Sequence, residues 1–544
     1  MRRQSFCSGY RWLLLAGVLL YLQPQPTWAG EKHQVEFQTS DRCIACHNGL
    51  TTPSGQDVSI GFDWRASIMA NSSRDPYWQA SARRETIDHP QAKAEIEDEC
   101  SICHMPITRY KAKLHGQLGK IFVHLPFDTK KKSGAEAEDG VDCSVCHQIT
   151  KEKLGTRDSY NGGFVVHPPD LQNRHSEYGP FQIVEGNQHV MRTSTGGFRP
   201  EQEEKHIRDA RLCATCHTLY TTARGEGGKP IGALPEQVPY LEWLHSDYRD
   251  KQTCQDCHMP EVKEPTPIAK VLGIPRQGLH RHVFVGADFF MQNMLNRYRD
   301  DLSVGALPQE LSSAAHDTIT FLQTKAASVR IEHVEITAGQ LQAEVFVENR
   351  GGHKLPTAFP SRRAWLHVVV RDRDHHVVFE SGALNGNGSI QGNDNDADPT
   401  RFEPHYSEIS RSDQVQIYES ILGDQQGHVT TGLIAAVNYL KDNRLLPHGF
   451  DKRTAEKDYA VYGRAADDPN FTGTGDRVKY SVTLHGAEGP FEVDAELWYE
   501  PIGYRWANNL KPYDNVAEPH RFNAYFDSMN SAAVVVLAGA EVVR

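Results

Sequence analysis

Cysteine and histidine recur in this chain in one fixed arrangement, Cys-x-x-Cys-His, five times. The copies are Cys43-Cys46-His47, Cys100-Cys103-His104, Cys143-Cys146-His147, Cys213-Cys216-His217 and Cys254-Cys257-His258. Ten of the eleven cysteines are used in this way, and none follows Cys257. Thiols three residues apart and the imidazole one residue beyond share a helical face. Two such thiols can form thioethers to the two vinyl groups of one porphyrin, and the histidine can reach its iron as proximal ligand. The pattern is the attachment signature of c-type haem, and five copies predict five haem c groups. A disulfide framework would not place a histidine after every second cysteine. A redox dithiol usually occurs once per domain near a βαβ pattern. Zinc would need paired Cys-x-x-Cys units or added histidines at ribbon-like spacing.

Each iron then needs a sixth ligand or an open position. Of the 27 histidines, most are ordinary surface or hydrogen-bonded residues. Local context singles out a few as candidate distal ligands. His206 precedes Cys213 on a polar, helix-like segment, and His245 precedes Cys254 in Glu242-Trp243-Leu244-His245. His280 and His282 alternate, so both face one side of an extended segment, and His282 opens the apolar run to Gly286. His124 sits in the apolar Ile121-Phe122-Val123-His124-Leu125-Pro126, and His189 precedes Val190-Met191. His353 stands between Gly351-Gly352 and Pro356, where paired glycines let the backbone approach something bulky. Met69 could supply a thioether, although a methionine at such a position usually packs in a core.

The elements that position these residues divide the chain. The fold class expected is multidomain α+β. Residues 30–300 read as a haem-dense, mostly helix-and-loop pentahaem cytochrome c domain, with short helices carrying each motif and few strands. Pro106 and Pro260, two residues beyond His104 and His258, should end those helices. Residues 301–328 read as a connecting helix, with Leu311, Ala315, Ile319 and Leu322 at helical spacing. Residues 329–544 read as a β-sandwich-like domain. There, 329–347 alternates as two strands around Ala338-Gly339, and 364–379, 478–484 and 491–499 are strand-like. The pattern over 421–440 allows helix or strand. The acidic loop Gly392-Asn393-Asp394-Asn395-Asp396-Ala397-Asp398 reads as a solvated turn or, more sharply, as a Ca2+ site, although it lacks the spacing of a helix–loop–helix calcium loop.

Residues 1–29 read as a secretory signal peptide. Arg2, Arg3 and Arg11 precede the apolar stretch 12–22, and Thr27-Trp28-Ala29 offers small residues for cleavage. An uncleaved anchor is the alternative. Cys7 precedes the apolar run, which misplaces it for a lipidated mature terminus. No other segment is long and apolar enough to span a membrane. The formal charge is −12, with 24% charged and 39% hydrophobic residues. That composition is globular and argues against nucleic-acid binding.

The chain resembles the periplasmic and extracellular multihaem c-type cytochromes of respiratory bacteria, whose haem packing is similar to that of the tetrahaem cytochrome of ammonia oxidisers. The resemblance rests on the five motifs, on Gly140-Val141-Asp142-Cys143, on Leu212-Cys213-Ala214-Thr215-Cys216-His217, on Gln255-Asp256-Cys257-His258-Met259-Pro260 and on His282-Val283-Phe284. Gly352-His353-Lys354-Leu355-Pro356-Thr357 is similar to a stretch in C-terminal β domains of such proteins, where the histidine can ligate a haem. The resemblance implies closely packed, mostly bis-histidine haems that move electrons, with quinol-linked donors or other cytochromes as partners. The rival is a haem enzyme acting on a small nitrogen or sulfur species at one five-coordinate iron. In pentahaem nitrite reductases the active-site motif typically ends in Lys, and all five motifs here end in His. A third reading is a subunit of an extracellular cytochrome assembly that self-associates.

Overall fold

Period-two alternation of apolar residues builds the second half of the computed structural model. The described residues are 37–170, 174–195 and 197–544; the segment 1–29, read as a signal peptide, lies outside them. Strands Ala327–Thr337 and Gln340–Asn349 pair antiparallel. They turn at Ala338 and Gly339, both at positive φ (52° and 78°), the backbone signature of a two-residue hairpin turn. This hairpin continues into Asp476–Thr483 and Glu408–Ile409 to make a four-stranded sheet. A second sheet orders Val377–Ser381, Arg363–Arg371, Glu492–Glu500 and Val535–Val543, with Ile417–Tyr418 paired to Arg363–Arg371.

The inward sides of the two sheets form one core. Leu341, Ala343, Val345 and Val347 meet Ala364, Leu366, Val368 and Val370, and Val493, Ala495, Leu497 and Tyr499 close the layer. For 421–440, where the sequence pattern allows helix or strand, the chain forms strands. Ser420–Asp424 pairs with Val429–Thr430 and with Ala436–Asp442. Tertiary packing decides the matter: Leu422, Ala436 and Tyr439 close on Leu234, and the Tyr439 hydroxyl donates to Pro235 O at 2.7 Å.

Before the sheets runs the helix Pro308–Phe321, which buries Leu311, Ala315 and Thr318 and ends in the π-helical turn Leu322–Ala326. Arg65 grips its first turn through Glu310 Oε2 at 2.7 Å. The sandwich core extends into the first half through Ala66, Tyr77, Phe289 and Phe290. Elsewhere in the first half, buried apolar residues fall into smaller clusters, such as Leu50, Val58, Val262 and Leu279.

Short helices carry the motifs. Lys93–His104 holds the whole second motif, Cys143–Gln148 the third and Cys254–His258 the fifth. Asp41–Ile44 and Ala210–Ala214 hold the first cysteine of the first and fourth. Side-chain caps fix three of these starts. Asp142 accepts from Val145 N, Thr253 forms a capping box with Asp256, and Asp209 accepts from Arg211 N. Proline acts differently at the two sites where the sequence suggests a break. The helix of the second motif does end at His104, but Pro106 then opens a new helix, Pro106–Leu114, because proline suits a first helical turn. After Pro260 the chain enters the short strand Glu261–Val262.

Candidate functional site: one cavity lined by five motifs

A cavity of about 1460 Å³ runs through the first half, larger than the few hundred to about 1,000 Å³ typical of a small-molecule site. All ten motif cysteines and all five motif histidines line it. Thiols of different motifs also meet. Cys43 and Cys143, Cys103 and Cys216, and Cys213 and Cys254 are near enough to shift one another's ionisation. The field of Cys146 reaches both Cys213 and Cys216. The motifs are therefore contiguous: first beside third, third near fourth, and fourth beside both second and fifth.

Four of the five motif imidazoles are oriented by backbone carbonyls. Nδ1 of His47 pairs with Ile268 O at 2.6 Å, that of His104 with Ser72 O at 2.8 Å, that of His147 with Tyr178 O at 2.6 Å, and that of His258 with Val285 O at 2.6 Å. A carbonyl only accepts, so each Nδ1 carries the proton and each Nε2 keeps its lone pair. This is the tautomer a metal-ligating histidine needs. Trp78 stacks on the His104 ring at 4.2 Å and 3°, which fixes its plane. Burial lowers the pKa of His47, His147 and His217, and takes His104 and His258 down to about 4. These rings are neutral at pH 7, as ligation requires.

Two of the candidate distal histidines face motif histidines. His282 and His147 lie with centroids 6.3 Å apart and planes within 18°. His353 and His258 lie 6.2 Å apart and within 7°. Both candidates line the cavity and give Nδ1 to a carbonyl, His280 O and Lys354 O, each at 3.1 Å. Burial, then repulsion from His147, takes His282 down to about 3. His280 has the same signature, with Nδ1 on Met259 O at 2.6 Å and a place on the cavity wall.

The other four candidates stand apart from the cavity lining. His206 and His245 place Nε2 on Ile149 O at 2.9 Å and on Asp451 O at 3.1 Å, so in this arrangement Nε2 carries the proton. His124 follows the exposed Val123, and its apolar neighbours Ile121 and Phe122 pack with Met105 instead. His189 lies on the helix Glu185–Ser194, which has no buried residue. Met69 does line the cavity. In the acidic loop, Asp396 is paired with Arg363 at 2.8 Å, Asp394 with Arg401 at 2.5 Å, and Asp398 accepts from the Thr400 hydroxyl at 2.7 Å. Its carboxylates are engaged by neighbouring side chains rather than converging on a cation site.

The residues that hold the His353 loop carry no motif in the sequence. Glu242, fully buried on the helix leading to the fifth motif, accepts from Lys354 N at 3.0 Å and from Arg444 at 2.9 Å. The buried Lys354 ammonium reaches Asp442 at 2.7 Å, and Arg444 reaches the same carboxylate at 2.8 Å. Gly352 lets this loop approach the motif: a Cβ there would come within 3.2 Å of Trp243 and 3.3 Å of Tyr248. The adjacent glycines were the legible signal. The four charges were not, because their partners are far apart in sequence.

No family model matches the chain. Cytochrome c-552 of Haemophilus ducreyi is 22% identical over 274 residues, which cover 43% of this chain and 49% of that protein. The chain thus spans about half the length of the curated relative it matches. A solved structure, a penta-heme cytochrome c552 from Thermochromatium tepidum, aligns over 94% of this chain and 99% of its own, with a TM-score of 0.50 and 16% identity. The chain shares its overall fold with that penta-heme cytochrome.

The residues present fit haem c. Every motif offers two thiols and one imidazole to a common apolar cavity. Two metal–imidazole bonds of about 2 Å each, together with the rings, span roughly 6 Å, which matches the His147–His282 and His258–His353 separations. When bound, haem supplies a one-electron iron centre. The chain supplies neutral imidazoles, carbonyls that orient four of the motif rings, and a mostly apolar wall.

Proposed function

We propose that this protein transfers electrons through five covalently bound haem c groups in one contiguous array, as part of periplasmic or extracellular respiration. The observation that carries the reading is the single cavity whose wall holds all five motifs with thiols of neighbouring motifs in reach. His282 and His353 serve as distal ligands opposite His147 and His258, and His280 as a third. Two axial imidazoles close an iron to substrates and leave electron transfer as its chemistry. The β-sandwich contributes His353 and covers the array. The protein is exported, exchanges electrons with quinol-linked donors or other cytochromes, and packs its haems in the manner of the tetrahaem cytochrome of ammonia oxidisers. Among the described residues no helix is long and apolar enough to cross a membrane. Low-temperature EPR of the holoprotein tests the reading. Mostly low-spin bis-histidine iron is expected; a set of mainly high-spin irons overturns it.

One observation favours a second reading, a haem enzyme acting on a small nitrogen or sulfur species. Arg362 lines the cavity, and its charge acts on His217 and on the buried Asp75 and Asp288. Burial, then Asp288, pushes Asp75 up to about 7. A cation and a proton-bearing carboxyl beside an open iron could bind and protonate a small anion. Carbon monoxide binding to one reduced haem of the wild-type protein distinguishes this reading from pure electron transfer.

A further inference from the structure

We propose that the surface formed by residues 108–132 is the docking site of an acidic protein electron carrier, which exchanges electrons with the second motif. The inference rests on the electron-transfer reading and on Cys100-Cys103-His104 as a haem site. In a chain of formal charge −12, this stretch holds seven basic side chains and one acidic, Asp128. The fold gathers them on one face. Lys111, on helix Pro106–Leu114, and Lys132, which opens helix Lys132–Glu138, both reach Glu136 Oε1, at 2.7 and 4.0 Å. Glu136 also acts on His124, as does Lys120. Lys113 feels Arg109 and, from the loop after the third motif, Lys153.

The carboxylates nearby are already engaged. Asp98 accepts from Arg109 at 3.1 Å and from Gly119 N at 2.6 Å. The buried Glu97 accepts from Ile121 N at 2.8 Å, and Asp128 pairs with Lys131 at 3.1 Å. Lys113, Lys120 and Lys130 are exposed, and among the described residues no carboxylate forms an ion pair with them. Beside these lysines stand large apolar side chains that the fold leaves open: Leu114 is 49% exposed, Leu118 45% and Val123 69%. Apolar groups with a charged rim are the anatomy of a protein interface.

This face backs directly onto the second motif. Ile121 and Met105 are fully buried in a small cluster against which Cys100, Trp78 and Phe122 pack, and Trp78 stacks on His104. A carrier seated here exchanges electrons without crossing the sandwich. Charge selects the occupant. Unpaired ammonium groups attract carboxylates, so the partner's rim is acidic. The rest of the chain, being acidic, repels such a partner, which confines attraction to this face and orients the encounter.

The test mixes the oxidised holoprotein in stopped flow with reduced plant-type ferredoxin, an acidic one-electron iron–sulfur protein. One electron leaves its cluster and enters at the second motif; no bond forms or breaks. The second-order rate constant should fall about ten-fold or more between about 0.01 and 0.1 M salt. Lys113→Glu, Lys120→Glu and Lys130→Glu together should lower the low-salt rate by about that factor and remove most of the salt dependence, with visible spectra and reduction potentials unchanged. The exposed Lys229→Glu, Lys263→Glu and Lys457→Glu, changed together, alter net charge equally outside this face and should slow the reaction far less. Leu118→Ser with Val123→Ser should slow it several-fold at every salt concentration. Carbodiimide coupling should join ferredoxin carboxylates to lysines of this face. Equal slowing by the two lysine triples means that only net charge matters and overturns the inference. So does a first triple that reacts at the wild-type rate but no longer binds phosphatidylglycerol vesicles, which assigns the face to lipid. Peptide mass separates the two claims. A missing haem at the second motif defeats the underlying reading; five haems with rates and cross-links indifferent to these lysines defeats this inference alone.

Discussion

The imidazoles of His258 and His353 lie parallel to within 7° with their centroids 6.2 Å apart, although one belongs to the fifth motif and the other to a loop leaving the first sandwich hairpin. Each gives Nδ1 to a backbone carbonyl, so the two Nε2 lone pairs are left for the cavity. His353→Ala should turn one low-spin iron high-spin, open it to carbon monoxide and raise one potential. It should also loosen the sandwich, because an iron–imidazole bond would tie the two halves together. EPR and visible spectra identical to wild type would remove His353 from the ligand set.

Stoichiometry follows from the motifs. The protein should carry five covalent haems, read as intact mass. Changing Cys143 and Cys146 together to Ala should remove one haem and destabilise the first half, where much of the interior is cavity rather than packed side chains. A variant that folds normally with five haems defeats the assignment of the third motif.

His206 and His245 provide a contrasting test. Each has Nε2 committed to a carbonyl and stands away from the cavity wall. His206→Gln and His245→Gln should leave the haem spectra and the carbon monoxide response unchanged. A new high-spin signal in either variant would mean that the ring turns over when haem is bound.

The charge network behind His353 carries a pH signature. Burial opposes ionisation of Asp442, but Arg444 and Lys354 outweigh it and hold its pKa down to about 2. A depressed carboxyl stabilises the fold above its unfolded value of about 4 and loses that contribution as pH falls through the folded value. Stability should therefore drop between about pH 4 and pH 2, followed by circular dichroism. Lys354→Met leaves a buried carboxylate with one partner fewer and should cost about 3 kcal/mol at neutral pH. It should also weaken that acid dependence, while Arg444, the stronger partner, keeps part of it. A variant as stable as wild type would show that Arg444 alone suffices.

Local pattern fixed whatever depends on residues near one another in the chain. Thiols at i and i+3 with an imidazole at i+4 need only one helical turn to act together, so the five candidate attachment sites could be read without a fold. The alternation in 340–349, 363–371 and 492–500 marked strands because each sheet buries one side. Tertiary structure decided which histidines face one another. His206 and His282 look equally suitable in sequence. What separates them is the atom that meets a backbone carbonyl: Nε2 of His206 meets the distant Ile149 O, whereas His282 uses Nδ1 on the nearby His280 O. The same holds for Glu242, Lys354, Asp442 and Arg444. A buried charge is stable only beside its counter-charge, and that neighbour is supplied by the fold. The motif is a property of a pentapeptide; which imidazoles face one another is a property of the fold.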